Sequence, residues 1–371
     1  MRFGPKVRWD VTLVCNLACR HCQVGDARRA GVVHPSRELV MSVSTKLIEG
    51  GVSHIGLLGG EPLLHPYILD LLRVFAEHGI PVTISTNGFR LPVGLVPIMA
   101  ESSGWSIMIS LDGPDDETHE KIRGRGTFKR TIRNIEHLVS AAKRNQIVVG
   151  IACTLTSFTV WRMKEIYDLA NHLGVDLIQF GVVKAVGNAK INYEELQVKP
   201  EALIAGLAQF MSQTPYCRES EAPQVIFDFI NRPIADVFPN QTNGWNLHTP
   251  STECIGADST AFVDSTGCLW PCPPVHDGFQ NGSLNYSGSL DNSLVVNNFE
   301  TIWYGDLFQR FRQLKNKKTH ITNGIPCKNC IHADTCKPCP LPYWNGSYGH
   351  YDLCEYALNH ERYEVEVRRA R

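Results

Sequence analysis

A chain of 371 residues with 43% hydrophobic and 20% charged side chains can bury a full-sized core and has room for two domains. Its formal charge of −1 excludes a bulk attraction for nucleic acid or an anionic membrane surface. The opening "MRFGPKVRWD" is broken by charge, unlike a signal peptide, and no apolar run reaches bilayer length, so the expectation is a cytoplasmic protein with no membrane or nucleic-acid partner.

From Val7 to about Gly187, apolar strand-like runs alternate with longer helix-like stretches, the pattern of repeated βα units around a parallel sheet. The predicted strands are "KVRWDVTLV", "SHIGLL", "IPVTIST", "WSIMISL", "IVVGIACTLT" and "VDLIQFGVV". Between them, "RELVMSVSTKLIEG" and "YILDLLRVFAEHG" carry apolar residues at three- and four-residue intervals and end at glycine, as helices commonly do. Six parallel strands fit either an open barrel or a doubly wound sheet. Unusual turns follow the first four: "CNLACRHC" (Cys15 to Cys22), "GGEP" (Gly59 to Pro62), "TNG" (Thr86 to Gly88) and "LDG" (Leu111 to Gly113). All lie at C-terminal strand ends, where parallel α/β folds bind ligands.

The alternation then fades. Residues 188–250 form a bridging region with one predicted helix, "PEALIAGLAQFMSQ", followed by "APQVIFDFINRPIADVF" and the turn-rich "PNQTNGWNLHTP". From Ser251 to the end, Cys, Gly, Asn and Pro dominate, as in a small region held by metal more than by a large apolar core. The expected division is therefore 1–187, 188–250 and 251–371, with a C-terminal helix in the last.

Thirteen cysteines in a reducing compartment point to metal or cluster ligation, not disulfides. Cys15, Cys19 and Cys22 have the spacing C-x3-C-x2-C, with which three thiolates can hold three irons of a four-iron cluster and leave the fourth iron open. A structural zinc is the competing assignment, with His21 as a fourth ligand; thiolate softness and the absence of a closed shell favour iron–sulfur.

The cysteine triplet after the first strand, "GGEP" after the second and six βα units together resemble the radical S-adenosylmethionine (SAM) superfamily. That resemblance implies a partial (β/α)6 TIM-like barrel and a SAM molecule chelated by the open iron. SAM would be cleaved reductively to a 5′-deoxyadenosyl radical that abstracts a substrate hydrogen. It also implies that "GGEP" contacts the SAM ammonium: Gly59 and Gly60 permit close backbone approach, Glu61 or a carbonyl makes the contact, and Pro62 fixes the turn. Ser110 and Arg123 resemble the positions that bind the SAM carboxylate, and Val182 one that lines the adenine. Taken singly, these are more often a plain turn, surface polar residues and a core residue.

The remaining cysteines, Cys254, Cys268, Cys272, Cys327, Cys330, Cys336, Cys339 and Cys354, resemble the SPASM extension of this superfamily, with one residue fewer between Cys336 and Cys339. The resemblance implies two auxiliary four-iron clusters, so three [4Fe–4S] clusters in all. Cys327, Cys330, Cys336 and Cys354 would hold one; Cys254, Cys272 and Cys339 would hold the other, with Cys268 completing it or standing free. "CKNC" and "CKPC" read in isolation would also suit a zinc ribbon. Cys153 and Cys217 are left over, the first as a buried core thiol. His276 and Asp277 are candidates for substrate proton removal, Asp277 first, against the ordinary reading of polar loop residues.

SPASM enzymes usually modify ribosomally made peptides, by oxidation or side-chain cross-linking, so the leading expectation is an oxidoreductase or peptide maturase. The alternative is a dehydrogenase or epimerase of a sugar, aminocyclitol or other small molecule in antibiotic or cofactor biosynthesis. Either needs an external electron donor of flavodoxin or ferredoxin type. A peptide substrate would also call for a separate leader-peptide recognition protein, since the first strand begins almost at once. Outside enzymology, an electron carrier would leave the open iron without a use.

Overall fold

In a computed structural model of the chain, residues 4–25, 31–145, 147–214, 222–228, 254–280 and 290–316 are described, together with 282, 284, 286–288 and 359. The six predicted strands all form: β1 (Lys6–Thr12), β2 (His54–Gly59), β3 (Val82–Thr86), β4 (Ser106–Ser110), β5 (Val148–Leu155) and β6 (Leu177–Val182). They are parallel and stand in chain order in the sheet. A doubly wound sheet would reverse direction at a switch point; this one winds one way, as a partial barrel does. Right-handed crossovers with that order put every helix on one face.

The helices are α1 (Arg37–Glu49), α2 (Ile68–Glu77), α3 (Leu95–Ala100), α4 (Asp116–Arg123), α5 (Phe128–Asn145) and α6 (Met163–Leu173). Local signals set their ends. The Ser36 side chain accepts the Leu39 N–H at the start of α1, and Gly174 closes α6 in the left-handed region. Their apolar stripes bury Val43, Leu47, Leu71 and Phe75 against Trp9, Ile55 and Leu57 of the sheet. Strand alternation divides the two faces: in β1, Val7, Trp9 and Val11 are buried, whereas Lys6, Arg8 and Asp10 lie on the other, more open face.

The sheet runs past its six expected strands. β7 (Gln224–Phe227), inside the bridging region, pairs in parallel with β6. At the opposite edge β8 (Thr260–Val263) pairs in parallel with β1, and β9 (Leu269–Trp270) returns antiparallel to β8. The boundaries expected at 187 and 251 thus do not bound the sheet: the cysteine-rich region enters it as an edge. The helix predicted at "PEALIAGLAQFMSQ" spans Pro200–Gln213. Cys217, Cys327, Cys330, Cys336, Cys339, Cys354 and the expected C-terminal helix lie outside the described residues. Among the described residues, no helix is long and apolar enough to cross a membrane.

Candidate active site

The loop carrying Cys15, Cys19 and Cys22 leaves β1 at the C-terminal edge and is gripped from four sides. Beneath it lies "GGEP". A Cβ on Gly60 would stand 2.3 Å from the Val14 carbonyl oxygen, and Gly59 adopts φ 115° beside the Thr12 carbonyl, so only glycine fits either place. The Gly60 and Glu61 N–H groups donate to Thr12 (2.7 Å) and Val14 (2.8 Å). The two glycines thus let the turn pack directly against the stem of the cysteine loop.

Glu61 is held within the protein. Its side chain is 1% exposed and accepts three bonds: from Leu63 N (3.1 Å), Thr86 Oγ1 (2.7 Å) and Asn87 N (2.7 Å). It caps the turn that Pro62 opens and ties "GGEP" to "TNG", leaving the turn's carbonyls to meet a ligand. Burial pushes the Glu61 carboxyl up to about 6, the three donors opposing. Because the folded pKa lies above the ordinary 4.5, the stability Glu61 contributes is fully present below about pH 4.5 and lost as pH rises through about 6. A shift of that size is worth about 2 kcal/mol, more than half of it remaining at pH 5. Urea unfolding should therefore show Glu61→Gln falling short of the wild type by a gap that narrows by about 1 kcal/mol between pH 5 and pH 7; a gap that widens would mean that the three donors outweigh burial and that the carboxyl is not raised.

On the second side, Asn87 donates from Nδ2 to Asn16 Oδ1 (2.9 Å) and faces Cys15 Sγ at 3.8 Å, while Leu17 N faces the same sulfur at 3.5 Å. On the third, α4 brings Arg123, 9% exposed, with Nη1 at 3.9 Å from Cys19 Sγ, and the Ile122 carbonyl accepts the Arg20 N–H. On the fourth, Asn188 donates from its backbone to Cys22 O (2.8 Å) and from Nδ2 to Cys19 O (3.1 Å). Arg20 pairs with Glu195 across the same seam.

Asp112 organises the third side. Fully buried, it accepts from Arg123 Nε (2.5 Å), His21 Nε2 (2.8 Å) and Thr154 N (2.8 Å). Burial alone would raise its carboxyl; the Arg123 guanidinium and then His21 hold it well below the usual carboxylate range. Its own N–H donates to Nδ1 of His119, which burial pushes down to about 4 and so keeps neutral. His21, the fourth ligand of the zinc alternative, has its Nε2 committed to Asp112. Three thiols, with N–H donors directed at Cys15 Sγ and the Arg123 cation at Cys19 Sγ, fit a thiolate-bound cluster, because such donors stabilise the charge on cluster sulfurs.

Ser110 ends β4 on the half-open face, its neighbour Ile109 buried against the helices. Val182 ends β6, half-buried and opposite Leu155 of β5. Both stand at the same C-terminal edge as the cysteine loop. In the second cysteine group, Gly256, two residues after Cys254, packs under Pro271, which precedes Cys272; a Cβ on Gly256 would lie 3.1 Å from the Pro271 carbonyl oxygen. Cys268 stands at the other end of β9, where Thr266 Oγ1 lies 3.6 Å from its sulfur. Cys153 is buried in β5, as expected of a core thiol.

His276 and Asp277 lie on the helix Pro273–Gln280 and bond to each other (3.1 Å); His276 Nε2 is 3.8 Å from Asp264 Oδ2. Burial opposes its charge, but Asp277, Asp264 and Asp10 raise the His276 pKa overall. Asp10, on the open face of β1, has its carboxyl pushed up to about 7 by burial, against the pull of Arg8 and His276. The sequence reading missed Asp10, Asp112, Asn87 and Asn188. Asn87 and Asp112 belong to the flagged turns "TNG" and "LDG"; the other two carried no signal.

A parallel singly wound sheet, a three-cysteine loop at its C-terminal edge and a glycine-rich turn under that loop define a radical SAM core, and residues 9–170 match the Radical SAM superfamily. Residues 9–170 therefore form a radical SAM domain. The chain is 24% identical over 330 residues to the mycofactocin maturase MftC of Mycobacterium ulcerans (strain Agy99), covering 89% of this chain and 80% of that protein. It is also 24% identical over 346 residues to the AdoMet-dependent heme synthase of Methanosarcina barkeri (strain Fusaro / DSM 804), covering 90% of each. Among solved structures, Streptococcus suis SuiB bound to S-adenosylmethionine shares the fold, at TM-score 0.70 and 17% identity over 95% of this chain and 78% of that one.

Proposed function

We propose that this enzyme modifies a ribosomally made peptide by oxidation or cross-linking, using two auxiliary four-iron clusters beside the SAM-binding one. The observation that carries this reading is the likeness to a peptide maturase over 89% of the chain, joined to a C-terminal cysteine series that continues beyond Cys272. When bound, the cluster and SAM supply the electron and the radical that take a hydrogen from the substrate.

The chain's own residues do the rest. Cys15, Cys19 and Cys22 would hold the first cluster; Arg123, fixed by Asp112, and Ser110 would orient the SAM carboxylate; the carbonyls of the Gly59–Pro62 turn would meet its ammonium, and Val182 would flank the adenine. Cys254, Cys268 and Cys272, with Cys327, Cys330, Cys336, Cys339 and Cys354, would bind the auxiliary clusters. Asp10, His276 and Asp277, which lie close enough to influence one another, would flank the site beside the seam between β1 and β8. A carboxyl near neutrality, as Asp10 is, can accept a substrate proton at working pH. An extended peptide has free backbone donors and acceptors, which an exposed strand edge can satisfy. A flavodoxin- or ferredoxin-type donor would supply electrons, and a separate protein would present the leader peptide.

The equal identity to a heme synthase over 90% of the chain keeps one second reading, oxidation of a small molecule. A single isotope experiment separates them. A short peptide deuterated at the modified side chain will pass deuterium into 5′-deoxyadenosine. Transfer only from the ring or side-chain carbon of a sugar, aminocyclitol or tetrapyrrole would overturn the peptide reading.

A further inference from the structure

Electrons must reach the cysteine loop by a route that SAM and substrate leave open. On the function proposed above both would bind at the open face and C-terminal edge of the sheet, which leaves the helical side as the free approach. There the loop after β3 and the helix α5 enclose a cavity of about 510 Å³. Its lining includes Arg90, Arg130 and His137, and no carboxylate. Arg130 lies 4.3 Å over the Phe89 ring, and Val93 at the rim is 98% exposed. Along α5 the sequence sets Lys129, Arg130 and Arg133 against one acid, Glu136. Among the described residues neither Arg90 nor Arg130 has a carboxylate partner.

This surface connects to the cluster loop through one residue. The Phe89 N–H donates to Asn87 Oδ1 (2.9 Å), and Nδ2 of the same amide faces Cys15 Sγ at 3.8 Å. The opposite flank of the loop is chemically different: Arg20 is paired with Glu195, and Glu194 is exposed beside it. Lys190 is exposed there too, so this flank has no net charge to draw an acidic protein, whereas the α5 side attracts one.

We infer that the basic hollow formed by Arg90, Phe89, Arg130 and α5 is the docking surface for an acidic one-electron carrier, which reduces the cluster by way of Asn87 and Cys15. The inference rests on the reading of Cys15, Cys19 and Cys22 as cluster ligands. One electron leaves the reduced flavin of a flavodoxin and enters the cluster; the flavin is oxidised by one electron and the cluster reduced by one. Such encounters use small interfaces and gain their rate from charge complementarity.

The test follows bleaching of the visible absorption of the reconstituted enzyme under two reductants, a purified acidic flavodoxin in its reduced form and dithionite. Arg90→Glu and Arg130→Glu should slow reduction by flavodoxin about tenfold or more and flatten its fall with added salt, with reduction by dithionite unchanged. Arg130→Gln, which removes charge without reversing it, should slow it less. Lys190→Glu, on the opposite flank, should have little effect. Flavodoxin rates insensitive to the arginine substitutions, or a larger effect at Lys190, would overturn the docking surface. If dithionite fails to bleach the wild type, the cluster reading falls and the docking surface with it.

Discussion

Replacing Cys15, Cys19 and Cys22 together by alanine will abolish SAM cleavage and remove about four of about twelve irons, since each proposed set builds a four-iron cluster. No other group among the described residues presents three thiols beside the glycine turn that holds the loop stem. The structure gives the loss its reason. Asn87, Leu17 and Arg123 direct N–H donors at Cys15 and Cys19, so the site is shaped for thiolates and has no substitute donor. Iron and SAM cleavage are measured separately after anaerobic reconstitution. Deoxyadenosine formed at the wild-type rate would refute the triplet's role, and a wild type holding about four irons, or zinc in its C-terminal region, would refute the auxiliary clusters. Replacing Cys330, by contrast, should leave some SAM cleavage while product formation fails.

What the sequence made legible was whatever is written locally. Six strands and the paired helices follow from apolar period and glycine ends, and each of the other three flagged turns proved to touch the cysteine loop. Strands β7 to β9 were not legible: runs of two to four residues carry too little periodicity, and their pairing with β6 and β1 is a tertiary event. The partners of Glu61 were hidden for a related reason. A carboxylate after two glycines reads as a ligand contact, and only the fold reveals that Thr86 and Asn87, 25 and 26 residues later, already occupy it. Asp112 was visible as part of a turn but not as the hub of Arg123 and His21, because its partners come from a loop some ninety residues earlier and from α4.

That hub sets the second large effect. Asp112→Asn should cost about 3–5 kcal/mol, the range for removing one partner of a buried ion pair and leaving the other uncompensated. The asparagine oxygen can keep the Thr154 N–H, but its amide then confronts two donors, Arg123 Nε and His21 Nε2, in a space closed to water. An exposed pair sets the contrast: Glu165→Gln, which takes one carboxylate from Arg162 and leaves it Asp115, should cost no more than about 1 kcal/mol. Function should follow the same ordering. With its anchor gone, Arg123 is free to leave Cys19, so Asp112→Asn should weaken SAM binding to the reconstituted enzyme as well as lower stability. Adding Arg123→Met to Asp112→Asn should recover part of the stability, since the unpaired charge is gone, yet none of the SAM affinity. Urea unfolding and equilibrium SAM binding on the two single variants and the double variant separate these effects. If Asp112→Asn stays within about 1 kcal/mol of the wild type, the carboxylate is not the anchor of this site.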